Sequence, residues 1–177
     1  LIVVSDARPA EFSLAEIHEQ GLRAAAHFRR LGIGPGDIVA VQLPAWAEWL
    51  VAAIATAHCG AVLLPIVSIF GAKELGFVLR QSGAKLLVTP DRFRKGDFAR
   101  IVADCGPLPA LAHHIVIGDV PPGALPWSDL ETVIASPEPA PCDPDSMAML
   151  IYTPLAYMTD RWVYNKNLAR AKQQPKR

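Results

Sequence analysis

Between residues 13 and 152 the apolar positions of this chain switch repeatedly between helical spacing and short uninterrupted runs. Leu14, Ile17, Leu22, Ala25, Phe28 and Leu31 fall on one helix face. Ser13 and Glu16 are placed to form a capping box, and Gly32 stops the helix. The turn Gly32-Ile33-Gly34-Pro35-Gly36-Asp37 leads into Ile38-Val39-Ala40-Val41-Gln42-Leu43, apolar and β-branched enough for a buried strand that Pro44 ends. Residues 46–59 read as a second helix closed by Gly60, and 61–66 as a second buried strand. A helix over 72–81, with Leu75, Val78 and Leu79 inward and Gly83 at its carboxyl cap, precedes a strand at 85–88. A weaker helix over 98–104 precedes another at 114–117. Strands that are apolar throughout, separated by helices of about ten residues, imply right-handed crossovers. The predicted class is α/β, a parallel sheet with helices on both faces.

From 121 to 144 the chain turns proline-rich, a connector with one short helix over 127–134 capped by Ser128 or Asp129. Asp143-Pro144-Asp145-Ser146 then introduces a further buried-strand run over 147–152. After Ile151-Tyr152-Thr153 the pattern breaks, and Pro154-Leu155-Ala156-Tyr157-Met158-Thr159-Asp160 carries no period of the same fold. Beyond it only 163–173 reads as helix, fraying at its ends. The expected organisation is an extension over 1–9, an α/β segment over 10–153, and a divergent basic tail over 154–177 that is disordered or partly helical.

With 177 residues, 51% of them hydrophobic and 19% charged, the chain suits one globular unit with a substantial core. A net charge of zero supplies no global field for nucleic acid or an acidic membrane. From Asp160 onward one acidic side chain faces six basic ones, a solvated tail with no aromatic-interleaved fold behind it. The three cysteines, Cys59, Cys105 and Cys142, lack C-x-x-C spacing and are odd in number, against a disulfide framework or structural zinc. A reducing, cytoplasmic setting is expected. The start fails as a signal peptide, and no window reaches the roughly 20 apolar residues of a membrane span.

Individual chemistry-bearing residues resolve toward structural roles. Gly32, Gly34 and Gly36 follow a helix and precede a strand, the reverse of the order a dinucleotide loop needs, so a Rossmann-type oxidoreductase fails. His113 and His114 are adjacent on a strand and point to opposite faces, one half-buried and one exposed, so they do not chelate together. His18, His27 and His58 lie on helices without an H-E-x-x-H frame and read as surface or interface residues. Trp46 and Trp49, with Glu48, either line a cleft or pack on the sheet, and packing is the reading adopted. Ser5, Ser68, Ser82 and the cysteines have no nucleophile elbow or base. No catalytic residue and no metal ligand is expected.

The segments together resemble the amino-terminal part of the adenylate-forming enzymes, the superfamily of acyl-CoA synthetases, luciferases and peptide-synthetase adenylation domains. Phe12-Ser13-Leu14-Ala15-Glu16-Ile17 is similar to its opening aromatic-Ser/Thr-x-x-Glu-Leu. The stretch from Leu31 to Pro44 is similar to L-G-x-x-x-G-D-x-V-A-x-x-L-P. Gly60-Ala61-Val62-Leu63-Leu64-Pro65-Ile66 is similar to G-A-V-x-x-P-I/L. Glu74-Leu75 through Ser82-Gly83-Ala84-Lys85 is similar to E-L-x-x-x-L-x-x-S-G-A-K. The resemblance covers residues 10 to 153, an incomplete portion of the family's large domain.

In that family Ile151-Tyr152-Thr153 leads into S-G-T-T-G-x-P-K-G, a loop that cradles the β- and γ-phosphates of ATP. A substrate carboxylate attacks the α-phosphate, the loop steadies the departing pyrophosphate, and a CoA thiol then displaces AMP. The resemblance implies ATP, magnesium, CoA and a carboxylic acid for the intact enzymes, with the run Leu75 to Ser82 leaning toward fatty or alicyclic acids. In this chain Thr153 is the remnant of the loop, and the family's magnesium, ribose and acyl-pocket residues have no counterpart. Two expectations follow. One is a fragment, shifted in frame or altered after Thr153, inactive alone and holding no cofactor. The other is a non-catalytic module or part of a split enzyme that meets a protein partner, or its own copy, through an uncovered sheet edge.

Overall fold

In the computed structural model, residues 2–3, 10–134, 138–141, 143 and 145–152 are described. A small antiparallel pair, β1 (Ile2–Val3) and β2 (Ala10–Glu11), precedes the first helix. Helix α1 (Leu14–Arg30) starts where the sequence places it: Glu16 N–H donates to Ser13 Oγ at 3.1 Å and Ser13 N–H donates to Glu16 Oε2 at 2.7 Å. The box satisfies two amides that a helix start otherwise leaves to water. Ser13→Ala is expected to lower stability by about 1 kcal/mol, a loss of a few degrees in thermal midpoint; an unchanged midpoint would show that the box contributes nothing.

The remaining elements alternate. They are β3 (Ile38–Val41), α2 (Ala47–His58), β4 (Val62–Pro65), α3 (Ala72–Ser82), β5 (Leu86–Pro90), a hairpin of β6 (Arg92–Phe93) and β7 (Gly96–Asp97), α4 (Phe98–Ala103), β8 (His113–Ile117) and β9 (Leu125–Pro126). A 3-10 helix (Trp127–Thr132) follows. The main sheet has five strands in the order β4-β3-β5-β8-β9, every neighbour parallel. Gly83 caps α3 in the left-handed conformation, φ 71°, as its sequence position requires.

Strand alternation divides the interior into two cores, one on each face of the sheet. Val39, Val41, Leu63, Leu86, Val88, Ile115 and Ile117 meet α1 and α2 through Ala24, Ala25, Phe28, Val51 and Ala55. Ala40, Leu64 and Leu87 meet α3 through Leu75, Val78 and Leu79, with Ile101 and Val102 of α4 alongside. The sheet is therefore covered on both faces, as the uninterrupted apolar strands predict. α1 and α2 approach so closely that a Cβ at Gly21 would overlap Ile54.

The amino edge of the sheet is tied by ions and carbonyls. Lys85 Nζ donates to Asp37 Oδ2 at 2.9 Å and to Gly32 O at 2.6 Å, and Gly34 N–H donates to the same Asp37 oxygen. Arg29 donates to His58 O and to Glu138 O, which fastens the connector to the end of α2.

Several expectations are corrected. The helix predicted over 127–134 is the shorter 3-10 helix. Pro126 is its N-cap, and neither Ser128 nor Asp129 caps it; the proline delivers the chain already extended. The connector also supplies β9, a two-residue pairing too short to show a period, with its proline tolerated at a sheet edge. The run 147–152 is not a regular buried strand. It makes one isolated parallel bridge, Leu63↔Met149, and Met147, Met149 and Ile151 are exposed, because the neighbouring helix α2 leaves an open groove beside the run rather than closing over it. The tail over 154–177 and Thr153 lie outside the described residues.

Candidate functional site at the carboxyl edge of the sheet

The strand order creates a place where successive crossovers diverge. From β3 the chain passes through α2 to β4 on one side, then returns through α3 on the opposite face to β5 on the other. Ligands of open parallel sheets lie outside the carboxyl ends of the strands at such a switch point. Here it falls between the ends of β3 and β5.

Gln42 follows β3 and is wholly buried. Its Nε2 donates to Phe70 O at 3.0 Å and Val67 O at 3.3 Å, which anchors the loop over 67–70. Its Oε1 is buried and accepts from no described group, a costly arrangement in an apolar interior. Val67 and Ile69 of the anchored loop are exposed, while Phe70 packs on the α3-side core together with Tyr152. Leu150 and Tyr152 therefore reach this same edge.

Asp91 follows β5. Its carboxylate accepts from Arg92 N–H at 2.6 Å and Asp119 N–H at 3.0 Å, and so joins the loops after β5 and β8. The adjoining β6–β7 hairpin turns through Arg94 at φ 54°. Arg94 lies over Phe93 at 5.3 Å, and Phe93 meets Trp46 edge-on at 6.0 Å. Trp46 is buried just outside α2 and Trp49 is half-buried in the same core, so the packing reading of this pair holds. Arg92, Arg94 and Lys95 are all exposed, and Arg92 makes a loose 3.7 Å ion pair with Asp97. Positive charge at the switch point suits an anionic ligand.

The other candidates take structural roles. His113 and His114 do point to opposite faces, yet neither is exposed: His113 Nε2 bonds Leu31 O at 2.9 Å, and His114 Nε2 lies 2.8 Å from Thr89 Oγ1. The expected exposed member is absent because β8 is an interior strand covered on both faces. Burial lowers the His114 pKa to about 4 and pushes His27 and His58 down as well. Burial likewise raises the Cys59 and Cys105 thiols, so both remain protonated and unreactive. Ser82 Oγ donates to Leu79 O in the α3 cap. Among the described residues no cluster of three or more His, Cys, Asp or Glu is placed to hold a metal. No described helix is long and apolar enough to cross a membrane.

Sequence reasoning missed the hairpin and Asp91. The hairpin pairs two residues with two, below any detectable period, although the charge run Arg92-Phe93-Arg94-Lys95 was visible.

The family described as AMP-binding enzyme matches residues 2–154. This chain belongs to that family. The Mycobacterium tuberculosis protein named salicyl-AMP ligase / salicyl-S-ArCP synthetase is 37% identical over 161 residues, covering 85% of this chain and 27% of its own length. The solved structure of acetoacetyl-CoA synthetase from Streptomyces lividans matches with a TM-score of 0.68 and 32% identity, over 78% of this chain and 23% of that one. The anthranilate CoA ligase AuaEII, solved with anthranoyl-AMP, matches with a TM-score of 0.75 over 85% of this chain and 28% of its own; at 22% identity it supports the fold alone. The chain thus spans about a quarter of the length of these proteins. Within the AMP-binding fold, two of the family-like motifs now have one physical explanation: the Asp37 of the turn and the Lys85 of the S-G-A-K stretch are the two halves of the amino-edge ion pair.

Proposed function

We propose that this chain is the opening segment of an ATP-dependent ligase that activates a carboxylic acid through its acyl-adenylate for transfer to CoA, and that it does not adenylate on its own. The observation that carries the reading is the end of the family match at residue 154, where the sequence runs Pro154-Leu155-Ala156 in place of a Gly-, Ser-, Thr- and Lys-rich loop. Attack on the α-phosphate builds charge on the departing pyrophosphate, which needs backbone amides and a lysine to hold it. Thr153 is assigned as the remnant of that loop, and 154–177 as a tail of separate origin. The acid is assigned to the fatty or alicyclic class on the run Leu75 to Ser82, and the relatives, named for aryl and short oxo acids, make a panel necessary.

The test is ATP–pyrophosphate exchange by the 177-residue chain with magnesium and fatty, alicyclic and aryl acids. Exchange at background for every acid is expected; robust exchange with any acid sinks the reading. Translating the coding DNA beyond codon 153 in the other two frames tests the tail: S-G-T-T-G-x-P-K-G out of frame supports a shift, and its absence from both removes that origin.

A further inference from the structure

The packing of α1 on α2 brings two histidines together. The helices meet closely where a Cβ at Gly21 would overlap Ile54. His18 lies one turn before Gly21 and His58 one turn after Ile54, each on the same helix face as its neighbour at that contact. Their ring centroids stand 5.8 Å apart with an interplanar angle of 64°. Neither ring makes a hydrogen bond among the described residues, and Nδ1 of His58 is buried as well. A buried polar atom left in that state costs free energy.

The distance suits a shared cation. An ion bonded to one nitrogen of each ring at about 2.0–2.1 Å, at a roughly tetrahedral angle, sets the two centroids about 5 to 6 Å apart. His18 is exposed, so its ring can turn to direct a nitrogen at the shared point. Burial first, then His18 and Arg29, lower the His58 pKa, so at neutral pH this ring keeps a lone pair for a ligand bond. Arg29 opposes a cation here, yet its guanidinium is held by the carbonyls of His58 and Glu138. His113 and His114 are engaged elsewhere, with Leu31 O and Thr89.

We propose that His18 and His58 form a binding site for a divalent transition-metal cation that clamps α1 to α2. Imidazole suits zinc, copper and nickel, whereas magnesium requires oxygen ligands. Two side chains supply the protein's share among the described residues, so water completes the shell. The site goes beyond the ligase reading, and loss of either leaves the other standing.

Calorimetric titration of zinc chloride into the 177-residue chain, free of any affinity tag and at neutral pH, tests the proposal. One zinc per chain is expected, with magnesium failing to compete. Removing a ligand weakens binding at least as much as removing a supporting contact, so His18→Ala and His58→Gln should each cost at least about tenfold in affinity. His27→Gln, on α1 but outside the pair, should bind as the wild type does. Zinc should raise the thermal midpoint of the wild type and of neither pair variant, with circular dichroism confirming that all three variants are folded. Absence of zinc binding overturns the site. Binding that survives both pair variants, or falls equally in His27→Gln, also overturns it, and magnesium competing on equal terms overturns the imidazole chemistry.

Discussion

Gly118→Ala is expected to lower folding stability by about 3 kcal/mol, because two independent costs coincide at one position. Gly118 sits at φ 110°, a backbone conformation that side-chain-bearing residues rarely adopt. A Cβ there would also overlap the Asp91 carboxylate, which is held in place by the amides of Arg92 and Asp119. The carboxylate can move only by abandoning those amides. Urea unfolding of the single and double variants separates the terms: with Asp91→Ala already present, adding Gly118→Ala should cost only the backbone strain. A single-variant loss within the error of measurement, or equal losses in both backgrounds, would show that the close contact does not constrain this edge.

Acid should destabilise the protein before its carboxylates titrate, with His114 as the principal cause. Its folded pKa is lowered from 6.5 to about 4 by burial. Between those values the unfolded chain binds a proton that the folded chain refuses, so stability rises with pH and is lost as pH falls through 6.5 toward 4. At roughly 1.4 kcal/mol per pH unit the loss approaches 3 kcal/mol, and below pH 4 this group takes nothing further. His27 and His58, lowered chiefly by burial, act in the same direction. His114→Gln, which can keep a hydrogen bond to Thr89, should flatten most of the slope of thermal midpoint against pH. Parallel slopes for wild type and variant between pH 6.5 and 4.5 would remove His114 from the explanation.

The legibility of this chain follows the range of the interactions concerned. The capping box of α1, the Gly83 cap and the buried runs of β3, β4, β5 and β8 involve neighbours within a few residues, and the sequence pattern placed them closely. β9 and the β6–β7 hairpin escaped because each pairs only two residues, too few for alternation to register. The run 147–152 shows the opposite error: apolar composition implied burial, yet Met147, Met149 and Ile151 remain open. Composition records what a segment can bury, whereas burial needs a covering element. At the candidate site, the strands that lead to Gln42 and Asp91 were legible, but the roles of these two residues were not. A wholly buried glutamine anchoring a loop 25 to 28 residues away depends on contacts that no local spacing encodes.

The sequence by itself determined the secondary-structure rhythm, the α/β class, the family and the point near Thr153 where family pattern stops, because periodicity and short motifs are local properties of the chain. Only the tertiary structure decided the strand order β4-β3-β5-β8-β9, and with it the switch point between Gln42 and Asp91. It also brought Asp37 to Lys85 and Phe93 to Trp46, and left the outer side of Met149 unpaired among the described residues. Those outcomes arise from how twisted strands and crossover helices fill space together, and residues far apart in the chain acquire a common chemistry only after that packing is complete.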